Sequence, residues 1–172
     1  MIAAILNPGP SLLRTYPGRT DAGLVMAVNR AATAFACDVW ACGDYPAVQD
    51  SRDKLACLPA LLTAENTAAA LRDRNQKWPG RVVEFSELHS CVLPSVVDWP
   101  WVTALAAVVY AASVGATLIR CYGCDWSGEQ DFDGVVGGLN RSEARWTHEA
   151  ALFGALRTVL DRRGVTVERI AA

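Results

Sequence analysis

The chain has 172 residues, a length that fits one domain, and its 52% hydrophobic and 20% charged residues exclude a disordered protein. The net charge of −2 argues against nucleic acid as the partner, because nucleic-acid-binding proteins usually carry a basic surplus that replaces phosphate counterions. The start of the chain lacks the basic and long apolar stretches of a signal peptide, so we expect a cytoplasmic protein with reduced cysteines.

Short β-like runs alternate with helical patterns along the chain, which predicts a Rossmann-like α/β fold of three layers with a mostly parallel central sheet. The predicted strands are Ile2–Leu6, Leu24–Val28, Asp38–Ala41, Leu61–Thr63, Arg81–Phe85, Thr117–Tyr122 and Val165–Ile170. The predicted helices are Glu65–Arg74, Pro100–Val114 and a last helix that is capped by Asn140 with Glu143 and ends at about Arg163. Neither a repeat nor a linker is evident, so a single domain covers residues 1–172.

Residues 101–119 carry no charge and imitate a membrane span, which needs roughly 20 apolar residues. The segment is rich in alanine, however, and changes at Gly115 to a β-like run. This pattern favours a buried helix followed by a buried strand, and we expect no membrane partner.

The turn after the first strand, Asn7–Ser11, is predicted to lie where ligands bind in a doubly wound sheet. Pro8 and Pro10 have no backbone N–H, so the remaining donors are the Gly9 and Ser11 N–H groups, the Ser11 hydroxyl and the Asn7 amide. Gly9 would let a ligand approach the backbone, and Ser11 could cap a helical turn that favours an anion. The alternative interpretation is a rigid turn in which Ser11 is only a cap.

Polar residues also follow other predicted strands. Asn29 could recognise a base or ribose and Arg30 a phosphate, although the pair taken alone favours a helix-start Asn beside a solvated Arg. Asp44 and Asp125 place carboxylates after two further strands. We therefore expect Asn7–Ser11, Asn29, Asp44 and Asp125 to converge on one rim of the sheet.

Several segments resemble a known family. Ile5–Leu12 resembles the GNGPSL opening of the bacterial lipooligosaccharide sialyltransferases and of the related hydroxymethylpterin-diphosphokinase-like proteins. Ala27–Ala31 and Asp38–Asp44 resemble the family's second and third elements, and the segment from Thr103 to Asp125 resembles its SGxxAL…GxD element. The last third of the chain is similar to small phage-encoded proteins of unknown function.

The resemblance implies that Asn7, Gly9, Ser11 and Asn29 bind a nucleotide or another phosphorylated ligand, and it adds Thr103 to this set. The first motif begins Asn-Pro where the family has Gly-Asn. The family's tyrosine pair and catalytic histidine have no counterpart in their usual setting.

Other residues allow metal or acid–base chemistry. Asp131-Phe132-Asp133 matches the DxD pattern that holds a divalent metal in many nucleotide-sugar transferases, although this pattern also arises by chance in acidic loops. Cys121 and Cys124 have the spacing of half a zinc site but lack a second pair. We therefore assign no metal ligand and no cofactor, and a divalent metal stays an open alternative.

His148 shares a predicted helix face with Arg141 and Arg145. This face is either a solvated basic surface or the source of a general acid/base, His148, beside Asp125.

The sequence thus predicts a nucleotide- or nucleotide-sugar-binding, transferase-like enzyme that moves a sugar or a diphosphate, in which Asp125 or His148 handles the proton of the acceptor. The alternative is a non-catalytic binding protein, such as a phage accessory protein that kept the fold without the chemistry. A third hypothesis is a DNA-associated phage protein that uses Arg141, Arg145 and Arg157. The sequence leaves open whether the chain forms a homo-oligomer.

Overall fold

The computed structural model describes residues 1–19, 21–88, 102–136 and 142–171. Within these residues, seven strands form one parallel sheet of order β5-β4-β3-β2-β1-β6-β7. The strands are β1 (Ile2–Leu6), β2 (Leu24–Val28), β3 (Val39–Ala41), β4 (Ala60–Thr63), β5 (Val82–Glu84), β6 (Leu118–Tyr122) and β7 (Thr166–Ile170). The Rossmann-like α/β prediction is confirmed, and each predicted strand is present to within one residue at either end.

The described helices are α1 (Leu12–Thr15), α2 (Tyr45–Arg52), α3 (Glu65–Asp73), α4 (Thr103–Ser113) and α5 (Glu143–Asp161). Two 3₁₀ helices, Asn29–Thr33 and Phe85–Leu88, follow β2 and β5. Helix α2 was not predicted from the sequence. The predicted start of α4 at Pro100 lies outside the described residues, and Gly115 follows the helix with the expected positive φ of 94°.

Helix α5 begins differently from the prediction. Asn140, the predicted cap, lies outside the described residues, and Ser142 is the N-cap. The Ser142 hydroxyl accepts a hydrogen bond from the Arg145 N–H at 3.3 Å. Serine and asparagine are equally good caps, so composition could not distinguish two positions so close together.

The order of the strands creates a topological switch point between β1 and β6. After β1 the chain adds β2 to β5 on one side of it, and β6 then pairs with β1 on the other side. Crossovers leave the two adjacent strands in opposite directions, which opens a crevice at their carboxyl ends. The crevice is bounded by the turns that follow Leu6 and Tyr122, the last residues of the two strands.

Alternating side chains of the sheet pack into two cores. Ala3 and Ile5 face α4 and α5, whereas Ala4 and Leu6 face the layer that contains α2 and α3. The centre of this second layer is Trp40, which is fully buried, with its ring centroid 5.6 Å from that of Trp78. Burial of a large apolar side chain stabilises the fold by about 1.5–3 kcal/mol.

Helix α4 is the most apolar helix, and every residue from Leu105 to Ala111 is buried. It has only 11 residues. In the described part of the chain, no helix combines the length and the hydropathy that a membrane crossing requires.

Candidate functional site

A cavity of about 560 Å³ opens at the carboxyl edge of the sheet, over the switch point between β1 and β6. It is lined by the turns after β1, β2, β3 and β6, by the first turn of α4 and by one side of α5. The predicted site residues that line it are Asn7, Gly9, Asn29, Asp44, Thr103, Asp125 and His148. Ser11 and Arg30 are not among its lining residues.

The backbone donors of the β1 turn are not available to a ligand, contrary to the prediction. The Gly9 N–H donates to the Gly123 carbonyl at 3.1 Å. The Ser11 N–H donates to Oδ2 of Asp125 at 2.8 Å. Because these two N–H groups bind acceptors of the β6 turn, the turn has the rigid, structural character of the alternative interpretation.

Two glycines allow the β1 and β6 turns to touch. A Cβ atom on Gly9 would lie 2.2 Å from the Gly123 carbonyl oxygen and 2.5 Å from Oδ2 of Asp125. A Cβ atom on Gly123 would lie 2.2 Å from the backbone carbonyl oxygen of Asn7. The group that approaches Gly9 this closely is therefore the β6 turn, and not a ligand as predicted.

Ser11 does not cap helix α1. Its backbone has helical dihedral angles, φ −79° and ψ −10°, whereas a capping residue usually adopts the β region. Its hydroxyl is buried and has no hydrogen-bond partner among the described residues. Neither the phosphate-binding nor the capping interpretation of this side chain matches its geometry.

Asn7 is a buried polar side chain in the wall of the cavity, with 5% of its surface exposed. Its Nδ2 donates to the Tyr122 carbonyl at 3.3 Å and to Sγ of Cys124 at 2.8 Å. Its Oδ1 has no donor within the described residues. A buried acceptor without a partner is costly, so Oδ1 of Asn7 can accept a hydrogen bond from a ligand hydroxyl or amine.

Backbone strain is concentrated at the cavity. In the described residues, positive φ angles outside glycine occur at Asn29, Asn75 and Trp126, and the first and the last of these line the cavity. The Asn29 carbonyl oxygen accepts a hydrogen bond from Nε1 of Trp40 at 2.8 Å, which holds its backbone in place. Trp126 is the stronger outlier, because left-handed backbone is rare for bulky residues. Strain of this kind persists where the surrounding structure enforces it, often at functional sites.

The first turn of α4 supplies the donors that the β1 turn lacks. Its N-cap, Val102, offers no side-chain hydrogen bond, and the N–H groups of Thr103 and Ala104 have no partner within the described ranges. All three residues line the cavity. N–H groups at the start of a helix, together with the helix dipole, favour an anion at such a position. Thr103 thus belongs to the site through its backbone.

Asp44 lies across from this helix end, in the turn after β3. It is exposed, it precedes α2, and its carboxylate makes no capping hydrogen bond. The adjacent Gly43 lies against α4, since a Cβ atom at that position would be 3.0 Å from Oγ1 of Thr103. The β3 turn and the α4 N-terminus therefore form one corner of the cavity.

Arg30 joins the two aspartates of the DxD pattern, and we call this group the Arg30 clamp. Its guanidinium contacts Asp131 at 3.6 Å and forms an ion pair with Asp133. Partial burial opposes ionisation of Asp133, but hydrogen bonds from Arg30 and the Val135 N–H outweigh it and lower the pKa of Asp133. The clamp therefore fixes residues 131–133 to the 3₁₀ helix after β2.

The Arg30 clamp also bears on the metal alternatives. The Arg30 guanidinium contacts both carboxylates, and its positive charge opposes a divalent ion beside them. Within the described residues, no group of three or more His, Cys, Asp or Glu side chains has a geometry suited to a metal ion. The Cys121–Cys124 pair accordingly has no further ligand in that part of the chain.

Helix α5 forms the outer wall of the cavity. His148 is exposed on it, and Arg145 forms an ion pair with Glu149 at 2.7 Å. The Arg145 guanidinium also lies 5.6 Å from the centre of the Trp146 ring. The predicted basic face is therefore partly neutralised by an acidic neighbour, and Arg141 lies outside the described residues.

Two tryptophans of the cavity were not predicted as site residues. The Trp126 ring packs against Phe153 at 4.8 Å and lies under the Arg169 guanidinium at 5.0 Å. Trp146 lines the cavity from α5. Trp126 directly follows Asp125, so its position after a predicted strand was the signal that could have identified it.

Comparisons with models of protein families, with curated proteins and with solved structures found no match to this chain. The resemblance to the sialyltransferase-related family stays a prediction from its motifs.

Proposed function

We propose that this protein binds a nucleotide or nucleotide-sugar in the switch-point cavity and acts as a transferase of the sugar or diphosphate group. One observation carries the proposal. The α4 N-terminus, which has no side-chain cap, Oδ1 of Asn7 and Asn29 converge on one cavity of about 560 Å³. Ligand sites of small molecules typically have about 300–1,000 Å³, so a nucleotide fits this volume.

Each part of such a ligand has a chemical counterpart. The phosphate would lie at the N–H groups of Thr103 and Ala104, since a helix N-terminus attracts anions. The base or ribose would lie towards Asn29, whose Oδ1 is buried and has no partner among the described residues. The rings of Trp126 and Trp146 offer apolar faces for the rest of the ligand.

Negative charge opposes a phosphate at the β1 turn. Asp125 already occupies the Ser11 N–H, and its negative charge would repel a second anion there. The acids nearer to α5 and to the 130–136 segment are paired, Glu149 with Arg145 and Asp131 with Arg30. In this arrangement His148, which is exposed on α5, is the group that exchanges a proton with the acceptor.

A non-catalytic binding protein is the second candidate function, and one observation favours it. Asp125, the other candidate for proton transfer, bridges the β6 turn to the Ser11 N–H and thereby has a structural role. A cavity in which the Asp125 carboxylate is engaged in this way can bind a ligand without transforming it. This candidate includes a phage accessory protein. A cytoplasmic location belongs to both proposals.

The test is a thermal-shift screen against nucleoside mono- and diphosphates and nucleotide-sugars, followed by calorimetric titration of the hits. A ligand at about 100 times its Kd should raise the free energy of unfolding by roughly 2.7 kcal/mol. Turnover of a nucleotide-sugar distinguishes the transferase from the binding protein. Absence of nucleotide binding at millimolar concentration would end the nucleotide hypothesis.

Asn29→Ala tests the assignment of the site. We expect it to weaken nucleotide binding by about 1–3 kcal/mol, because the variant loses a buried polar partner of the ligand. Asn75→Ala is the matched control, since Asn75 also has a positive φ, of 54°, but does not line the cavity. Equal affinity in the two variants, measured by calorimetry, would show that the nucleotide binds elsewhere.

A further inference from the structure

The cavity floor contains two cysteines that the proposed function does not use. Cys121 is the fourth residue of β6 and is fully buried, and Cys124 follows the strand, lines the cavity and is 6% exposed. The turn at Gly123, with φ 65°, brings the second cysteine back towards the first. The two thiols are close enough to influence each other's ionisation.

The surroundings of the pair distinguish its two sulfurs. Cys121 is fully buried, and the neighbouring Cys124 together with this burial raises the pKa of the Cys121 thiol well above its usual range. Sγ of Cys124 accepts a hydrogen bond from Nδ2 of Asn7 at 2.8 Å. Cys124 is thus the cysteine of the pair that has a side-chain donor and lines the cavity. A nucleophilic thiolate needs donors and access of this kind.

We propose that Cys121 and Cys124 form a redox-active dithiol at the floor of the cavity, which reacts with small hydroperoxides. Sγ of Cys124 attacks one oxygen of the peroxide and becomes a sulfenic acid. The O–O bond breaks, and the other oxygen takes the thiol proton and leaves as an alcohol or, from hydrogen peroxide, as water. Sγ of Cys121 then attacks the Cys124 sulfur, an S–S bond forms, the S–O bond breaks and the hydroxyl leaves as water with the Cys121 proton. The dithiol loses two electrons and the peroxide gains them. This proposal does not depend on the nucleotide proposal.

The remaining cysteines of the described residues provide internal comparisons. Cys57 is exposed and donates to the Cys37 carbonyl at 3.4 Å, on a part of the surface that does not line the cavity. Burial raises the pKa of the Cys37 thiol to about 12, with a smaller contribution from Cys57, so Cys37 resists oxidation. Selective oxidation of Cys124 would therefore reflect its site, since exposure alone favours Cys57.

The experiment titrates the reduced protein with hydrogen peroxide, blocks free thiols with iodoacetamide under denaturing conditions and measures tryptic peptides by mass spectrometry. Cleavage after Arg120 and Arg141 releases residues 121–141, which contain Cys121 and Cys124 and no other cysteine. We expect this peptide to lose two hydrogens, to escape alkylation and to regain both thiols after dithiothreitol. Alkylation of both residues at peroxide levels that oxidise Cys57 would overturn the proposal, as would a Cys37–Cys57 disulfide in its place.

Variants separate the roles of the two sulfurs. In Cys121→Ala, Cys124 should remain a sulfenic acid that dimedone traps, whereas Cys124→Ala should give no adduct at Cys121. Asn7→Ala should slow the oxidation of Cys124 about tenfold, because the sulfur loses a hydrogen bond. Irreversible oxidation of Cys124 in the wild type, without a disulfide, would contradict the role of Cys121. The wild-type result stands even if a variant fails to fold.

Discussion

The two halves of the cavity rim use their polar groups in opposite ways. Between the β1 and β6 turns, the Gly9 and Ser11 N–H groups are bound to acceptors of the opposing turn. On the side of α4, the N–H groups of Thr103 and Ala104 have no partner within the described residues. The first half joins two adjacent strands, β1 and β6. The second half has donors without partners in the part of the chain that the structure describes. A motif that has the composition of a ligand loop can therefore be structural.

The largest expected effect breaks the contact between the two turns. Gly123→Ala should lower the free energy of unfolding by about 3–5 kcal/mol or prevent folding. Its Cβ would lie 2.2 Å from the backbone carbonyl oxygen of Asn7, and the φ of residue 123 is positive. Gly128→Ala is the control, since Gly128 also has a positive φ but nothing within 4 Å. It should lose only about 1–2 kcal/mol in urea unfolding. Equal losses would show that the contact between the turns is unimportant.

Substitution of Asp125 compares its structural and catalytic roles. Asp125→Ala leaves the Ser11 N–H without its acceptor and should cost about 1–3 kcal/mol of unfolding free energy. Asp125→Asn keeps an acceptor oxygen and should cost clearly less. If Asp125 acts instead as a proton acceptor in a transfer reaction, both variants should lose turnover equally, whatever their stability. Chemical denaturation and a nucleotide-sugar assay on the same two variants make the comparison.

The Arg30 clamp gives a smaller effect that depends on pH. The pKa of Asp133 is lower in the folded protein than its ordinary value of 3.8, so the ion pair stabilises the fold above that value and is lost as the pH falls through the folded pKa. Asp133→Asn should lower the free energy of unfolding by less than about 1 kcal/mol at neutral pH, since both partners are partly exposed. The difference should vanish at low pH and shrink in an Arg30→Gln background, where the hydrogen bond from the Val135 N–H remains. A difference of unchanged size in that background would show that Arg30 is not the stabilising partner of Asp133.

The smallest expected effect concerns Ser11. Its hydroxyl is buried without a hydrogen-bond partner among the described residues, so Ser11→Ala should leave stability unchanged or raise it slightly. The variant should also leave nucleotide affinity unchanged, because the side chain does not line the cavity. A loss of either quantity, by melting temperature or by calorimetry, would restore one of the roles that the sequence suggested for this residue.

Strands β1 and β2 could be predicted because each is a short apolar run that ends before a polar residue, Asn7 and Asn29 respectively. Helix α2 was missed because Tyr45–Arg52 buries only Val48 and Ser51, which leaves little apolar periodicity. The sequence also indicated which residues follow the strands. It could not indicate that the partners of the Gly9 and Ser11 N–H groups come from a turn more than a hundred residues away, because hydrogen-bond pairing depends on tertiary contacts.

Strand β1 lies between β2 and β6 in the sheet, and this position has a consequence for biosynthesis. One of its two hydrogen-bonded neighbours, β2, follows within about 20 residues, but the other, β6, lies more than 110 residues further along the chain. Contacts this distant in sequence form slowly, because a long loop must close before they contribute. During translation the β6 side of β1 must remain unpaired until Leu118–Tyr122 leaves the ribosome, which exposes an apolar strand edge for much of synthesis.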